Sequence, residues 1–275
     1  MEWNRDDAVA AYLDALEGVL AVAETLEPHE WPLPTDLPGW TVQDNVAHVV
    51  AVEDELAGRP LPSHEPDYDA LAHVTNDFAR HMEIGVDARR GVAPDALLTE
   101  LRAVVAERVE TVQGYPDDSE FTIPGPMGTT RTLARSLPIR AFDIWAHEQD
   151  VRRATDRAER LTGPAAGMSL ERIVMALPLV LGKEAGLPGG TAVRFVIEPP
   201  GPAPAGLTVL VAVDEDGNGR LVDDESATAD VILTLPFEAF AKAATGRRRP
   251  GSGQLSVIGD ASLVDRILDA LVITP

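Results

Sequence analysis

Between residues 7 and 155 apolar side chains recur three and four positions apart, and after about residue 160 that pattern gives way to short β-rich runs. This switch of period constrains the fold more than any other feature, because a spacing near 3.6 suits helices and alternation suits strands. In Asp7 to Leu26, the residues Val9, Tyr12, Leu13, Leu16, Val19 and Leu20 share one helical face. A proline-rich connector, Pro28 to Pro34, leads to Leu37-Pro38-Gly39-Trp40. Thr41, with Asp44 three positions on, has the pattern of a capping box and opens a second helix, buried through Val46, Val49, Val50 and Leu56. A third helix is predicted over Tyr68 to Arg89, with Leu71, Val74, Phe78 and Met82 inward, and a fourth over Pro94 to Gln113. Tyr115 to Arg131, rich in Pro, Gly and Asp, is expected to be a loop. Arg131 to Thr155 is helical again, with Pro138 marking a kink or the true start.

The second half opens with a helix over Ser169 to Glu184, followed by β-rich runs at Ala192–Ile197, Leu207–Val213 and Val231–Leu235. Gly217-Asn218-Gly219 has the composition of a hairpin turn. A helix near Phe237–Thr245, a strand Gln254–Ile258 and a helix Ser262–Leu271 complete the pattern. The expected fold class is therefore α + α/β with two domains: an up-down four-helix bundle over residues 1–160, then a small α/β domain over 165–275.

Composition narrows the function. The sequence has no cysteine, which excludes disulfides, thiolate metal sites and a cysteine nucleophile together. Any nucleophilic sulfur must arrive on a small molecule. A net charge of −22 argues against a nucleic-acid partner and against an anionic membrane surface. Met1 to Asp7 lacks a basic stretch leading into an apolar core, and no run of about 18 apolar residues occurs, so a cytoplasmic location with no membrane partner is expected. Only Lys183 and Lys242 among the 23 basic residues are lysines, a bias that suggests a GC-rich genome.

Three residues carry candidate chemistry. Asp143 and His147 are four apart on one helix and share a face, with Asp150 three further on. His48, on the second helix, adjoins that helix's apolar stripe, and a bundle can bring such groups together around one ion. Two imidazoles and a carboxylate leave coordination positions open, as in a catalytic zinc site. The same i,i+4 spacing also suits a plain Asp/His ion pair. A rival set, His73, Asp77 and His81, spans about 12 Å along a helix, too far for one ion to hold all three. Glu148, about 100° round the helix from His147, is expected to be solvated.

Leu37-Pro38-Gly39-Trp40-Thr41 through His48, and Arg140 through Arg152, resemble the DinB-like metalloenzymes. Within them they are most similar to the mycothiol-dependent maleylpyruvate isomerase family of actinobacteria. Gly246-Arg247-Arg248-Arg249-Pro250 and Val257 to Leu263 resemble that family's sterol-carrier-protein-like C-terminal α/β domain.

The resemblance implies metal ligands at His48, Asp143 and His147, with Asp143 standing where the family usually has Glu, one methylene longer. It further implies that Asp150 orients an imidazole, for which an ion pair with Arg153 is the alternative. Arg247 is the nearest match to a C-terminal active-site arginine, a solvated loop charge being the alternative. The cofactors implied are a divalent metal ion, zinc first and nickel or iron next, and mycothiol as thiol cosubstrate. The partners are then a small-molecule electrophile and the thiol, in a monomer or homodimer. The reaction is cis–trans isomerisation or thiol S-transfer. The alternatives are a small-molecule-binding protein with a structural metal and a metal-dependent hydrolase.

Overall fold

The computed structural model describes residues 3–118, 120–200, 206–224 and 226–274. The chain forms two compact units, one ending at Ser169 and the other spanning Leu170–Thr274.

The first unit is a helical bundle. Helix α1 (Arg5–Ala23) starts where the Asn4 side chain accepts the Asp7 N–H at 2.8 Å. Its buried face interleaves Ala8, Ala11, Ala15 and Gly18 with Tyr12, Leu16 and Val19. The small residues let α5 (Leu133–Ala154) pack closely along it. Helix α2 (Val42–Leu56) opens with the predicted capping box of Thr41 and Asp44, and it packs against α3, α4 and α5. Being central, it buries polar side chains as well as apolar ones. Asn45, His48 and Glu53 all lie inside and must find partners there.

Helix α3 (Asp77–Asp87) is shorter than the predicted third helix. The Asn76 side chain accepts the Ala79 N–H at 2.8 Å and sets the helix start, while Tyr68–Ala70 forms a separate 3-10 turn. Leu71 and Val74 thus lie outside the helix, and Phe78 is 39% exposed; of the four residues predicted inward, Met82 alone is buried. Gly85 allows the close approach to α2, since a Cβ there would lie 2.4 Å from that of Ala51. Helix α4 (Pro94–Gln113) buries Leu97, Leu101, Val104, Arg108 and Val112, as the spacing predicts.

The predicted loop before α5 contains a two-stranded hairpin, β1 (Thr122–Pro124) with β2 (Thr130–Thr132), three residues each and too short to show alternation. Pro138 sits inside α5, whose start is Leu133. It gives up only the hydrogen bond to the Ala134 carbonyl, near the helix start.

Helix α6 (Pro164–Leu179) starts earlier than Ser169, with Pro164 in its first turn, and runs into a π-turn at Val180–Glu184. By length and composition Pro164–Glu184 is apolar enough to cross a membrane, with a mean hydropathy of 1.4, yet half of it is buried. The second unit holds a five-stranded sheet in the order β5-β4-β3-β6-β7. Its strands are β3 (Ala192–Glu198), β4 (Leu207–Val213), β5 (Gly219–Val222), β6 (Val231–Pro236) and β7 (Ser256–Gly259). Strands β4 and β5 are joined through the predicted Gly217-Asn218-Gly219 turn. The parallel pair β3–β6 aligns Val193, Phe195 and Ile197 with Val231, Leu233 and Leu235, all buried. Helix α7 (Phe237–Ala244) covers that face, Phe240 lying 5.8 Å from Phe195 between ring centroids, and α8 (Val264–Ala270) follows.

Candidate metal centre

His48 from α2 and Asp143 and His147 from α5 meet inside the bundle. One ligand atom from each lies within 4.8 Å of the others. His48 Nε2 is 3.1 Å from Asp143 Oδ2, His147 Nε2 is 3.7 Å from Asp143 Oδ1, and the two imidazole centroids are 4.5 Å apart. Two ligand atoms bound tetrahedrally at about 2.0–2.1 Å from one zinc ion lie roughly 3.4 Å apart, so these separations suit an ion. The donor set suits one too: two nitrogens and an oxygen leave further positions for small ligands.

Each donor has a distinct environment. The side chains of His48 and His147 are 6% and 7% exposed, whereas Asp143 is 32% exposed and opens the site to solvent. Burial pushes the His48 imidazole below its usual pKa, and nearby His147 and Arg140 add to this against the pull of Asp143. His48 is therefore held in the neutral form that binds metals. Burial works against a charge on Asp143, but the Arg140 guanidinium and the hydrogen bond with His48 hold its carboxyl well below the usual range.

His147 Nδ1 lies 2.7 Å from Asn45 Oδ1, which fixes that nitrogen as the N–H donor and leaves Nε2 facing Asp143. Asn45 is itself held, its amide donating to the Thr41 carbonyl at 2.8 Å. Asp150 Oδ2 lies 3.5 Å from the same nitrogen, while its other oxygen pairs with Arg153. Asp150 forms the ion pair with Arg153, and Asn45 is the nearer partner of the His147 ring. His48 Nδ1 is buried and has no hydrogen-bond partner among the described residues.

Trp40 forms a wall, its ring centroid 5.2 Å from His48 and 5.5 Å from His147. Gly39 delivers it: φ is +80° there, and a Cβ would lie 2.2 Å from the His73 ring. The Trp40 Nε1–H donates to buried Glu83 at 3.1 Å, and Glu83 also pairs with His73 at 3.2 Å and with Arg90. His81 turns to Glu55 at 3.0 Å, so the rival histidines have separate partners. His73 precedes α3 and does not share a helix with Asp77 and His81.

Glu148 corrects an expectation. It is fully buried rather than solvated, accepting from Arg152 at 2.8 Å and from Arg160 at 2.8 Å beneath Gly18 of α1. Arg247 belongs to the second unit, in the turn after α7, where its Nη1 donates to the Thr245 carbonyl. Sequence reasoning did not single out Asn45, Trp40, Glu83 or Arg140 as parts of the site. A signal existed for two of them, since Asn45 and Arg140 stand one helical turn before His48 and Asp143.

Residues 12–152 match the family described as the mycothiol maleylpyruvate isomerase N-terminal domain. An uncharacterised protein of Mycobacterium tuberculosis, present in strains H37Rv and CDC 1551, is 24% identical over 131 residues. That stretch is 48% of this chain and 49% of the relative, so the chain spans about half the length of the curated relatives it matches. A crystal structure of the mycothiol-dependent maleylpyruvate isomerase aligns over 93% of each chain at a TM-score of 0.53 with 16% identity. A mutant of that enzyme aligns over the same share at 0.54 with 14% identity. These likenesses establish the two-part fold.

Proposed function

The chain belongs to the mycothiol maleylpyruvate isomerase N-terminal domain family, and on that premise we propose that it is a metal- and thiol-dependent enzyme. A small thiol, mycothiol, serves as cosubstrate and attacks an electrophilic small molecule. The observation that carries this reading is the convergence of His48, Asp143 and His147 from two helices of the bundle. The absence of cysteine supports it, because the nucleophile must come from outside.

His48, Asp143 and His147 would hold the ion, zinc first and nickel or iron next. A bound divalent ion supplies positive charge that favours thiolate over thiol, shifting a free pKa of about 8.5. The chain's own residues prepare that site. Burial keeps His48 neutral. Asn45 fixes the ring of His147. Trp40 shields one side of the imidazole pair from water.

In the isomerase form, the thiol proton passes to solvent and sulfur bonds to one carbon of a cis double bond conjugated with a carbonyl. The displaced electron pair rests on the carbonyl oxygen, and the former double bond turns as a single bond. The pair then returns, the S–C bond breaks, the trans double bond forms and the thiolate leaves, taking a proton back from solvent. In the transferase form the S–C bond stays and the carbon takes up a proton. Fold and family leave the substrate open.

The test is elemental analysis of the purified chain, followed by turnover of cis-enones and related electrophiles with and without added thiol. Close to one equivalent of divalent metal and turnover only with thiol are expected. A product of unchanged mass identifies an isomerase, and a gain of the thiol's mass a transferase. Turnover that is equally fast without thiol overturns the mechanism.

A further inference from the structure

Asp143 is not an isolated carboxylate. Its Oδ2 accepts from Arg140 Nη1 at 2.6 Å, one turn earlier on α5. Arg140 cannot swing away, because its Nε and Nη2 both donate to Glu53 Oε1 of α2, at 3.1 and 2.8 Å. Glu53 is fully buried, and its other oxygen accepts from Arg108 Nε of α4 at 3.0 Å and from the Tyr12 hydroxyl of α1. Residues of α1, α2 and α4 therefore hold one guanidinium of α5 in place. The charges cancel in pairs, Glu53 with Arg108 and Asp143 with Arg140.

Two consequences follow for an ion held by His48, Asp143 and His147. Oδ2 already accepts from Arg140, which leaves Oδ1, facing His147 at 3.7 Å, as the oxygen with no hydrogen-bond donor among the described residues and so the freer one for an ion. The negative charge a carboxylate ligand normally contributes is also already balanced. Such an ion keeps its full positive charge toward whatever ligand completes the site. We propose that Arg140 is a positioning residue that restricts Asp143 to one free oxygen and cancels its charge, so that the site selects an anionic completing ligand, a thiolate, over water. This rests on the metal and thiol reading above. The thiol proton is released to solvent on binding.

Arg140 then lowers metal affinity and raises thiolate affinity, a pair of opposite effects that a merely structural residue does not produce. The experiment uses the full chain, Co2+ as metal probe and 2-mercaptoethanol as thiol probe. Co2+ affinity is measured by competition with a chromophoric chelator, and thiol affinity by the sulfur-to-cobalt charge-transfer band of the loaded protein. Arg140→Gln is expected to bind Co2+ about tenfold more tightly and the thiol about tenfold more weakly, at the lower end of the range seen for groups that contact metal ligands. Arg140→Lys keeps the charge but loses the fork that reaches both Glu53 and Asp143, so it is expected to move both constants in the same directions as Arg140→Gln, by less. If both constants weaken together in Arg140→Gln, or neither moves, the proposal is overturned. Should Arg140→Gln fail to fold, Arg140→Lys decides: tighter Co2+ binding with weaker thiol binding supports the proposal, and both constants weakening together, or neither moving, sinks it. A wild-type chain that takes up no Co2+ overturns the metal reading itself, and this inference with it.

Discussion

The Nδ1 atom of His147 lies 2.7 Å from Oδ1 of Asn45, across the interface between α5 and α2. The contact leaves one tautomer, with the proton on Nδ1 and the lone pair of Nε2 turned to Asp143. Asn45→Ala is expected to keep the bundle folded and to lower metal affinity by about tenfold or more, as loss of a ring-orienting partner does. Competition with a chelator measures it. Unchanged affinity would mean that Asp150, 3.5 Å from the same nitrogen, suffices alone.

The ligand set makes a sharper prediction. His48→Ala and His147→Ala should each reduce metal content at least about tenfold, and Asp143→Ala likewise. Asp143→Glu should retain the metal, because it keeps the carboxylate. Glu148→Ala separates ligand from scaffold. It removes a buried partner of Arg152 and Arg160, so it should cost about 1–3 kcal/mol in urea denaturation and leave metal content unchanged. Full stoichiometry in the double histidine variant would sink the site.

The bundle was legible because α1, α2, α4 and α5 carry long apolar stripes, and the sheet because β3, β4 and β6 are short β-rich runs bounded by Gly and Pro. Helix α3 was misjudged because its period continues through Leu71 and Val74, while the chain starts the helix at Asn76 with a side-chain cap. The triad was legible through i,i+4 spacing on α5 and a histidine on the central helix. Its surroundings were not. Glu148 is buried because Arg160, a residue beyond the helix, folds back over Gly18, and no local pattern announces that. Trp40 and Glu83 meet across 43 positions, a pairing that only tertiary structure creates.

Stability in acid offers a check remote from the site. Glu30 accepts a hydrogen bond from Arg157, which with the backbone N–H of Glu27 lowers its pKa from 4.5 to about 2 against the opposing effect of burial. Because the folded value is depressed, the pair contributes fully above pH 4.5, and the contribution fades as pH falls toward about 2. Glu30→Gln should therefore cost under about 1 kcal/mol at pH 7, the pair being partly exposed. Urea midpoints of variant and wild type should converge between pH 4.5 and about 2. A gap that stays constant over that range would show that charge plays no part.

Trp40 supplies an optical report on where the ion sits. Its ring centroid is within 5.5 Å of both imidazoles, and it is one of four tryptophans in the chain. Co2+ is paramagnetic and absorbs in the visible, so it quenches indole emission most strongly at short range. Adding Co2+ to the metal-free chain should therefore quench emission in a titration that saturates near one equivalent, with Trp40 contributing the largest share. Trp40→Phe keeps an aromatic wall beside the histidines but removes that emitter and the hydrogen bond to Glu83. The variant should still take up Co2+, shown by elemental analysis, while most of the quenching disappears. If Trp40→Phe takes up a full equivalent and its emission falls as far as that of the wild type, the ion lies near another tryptophan and not between His48 and His147.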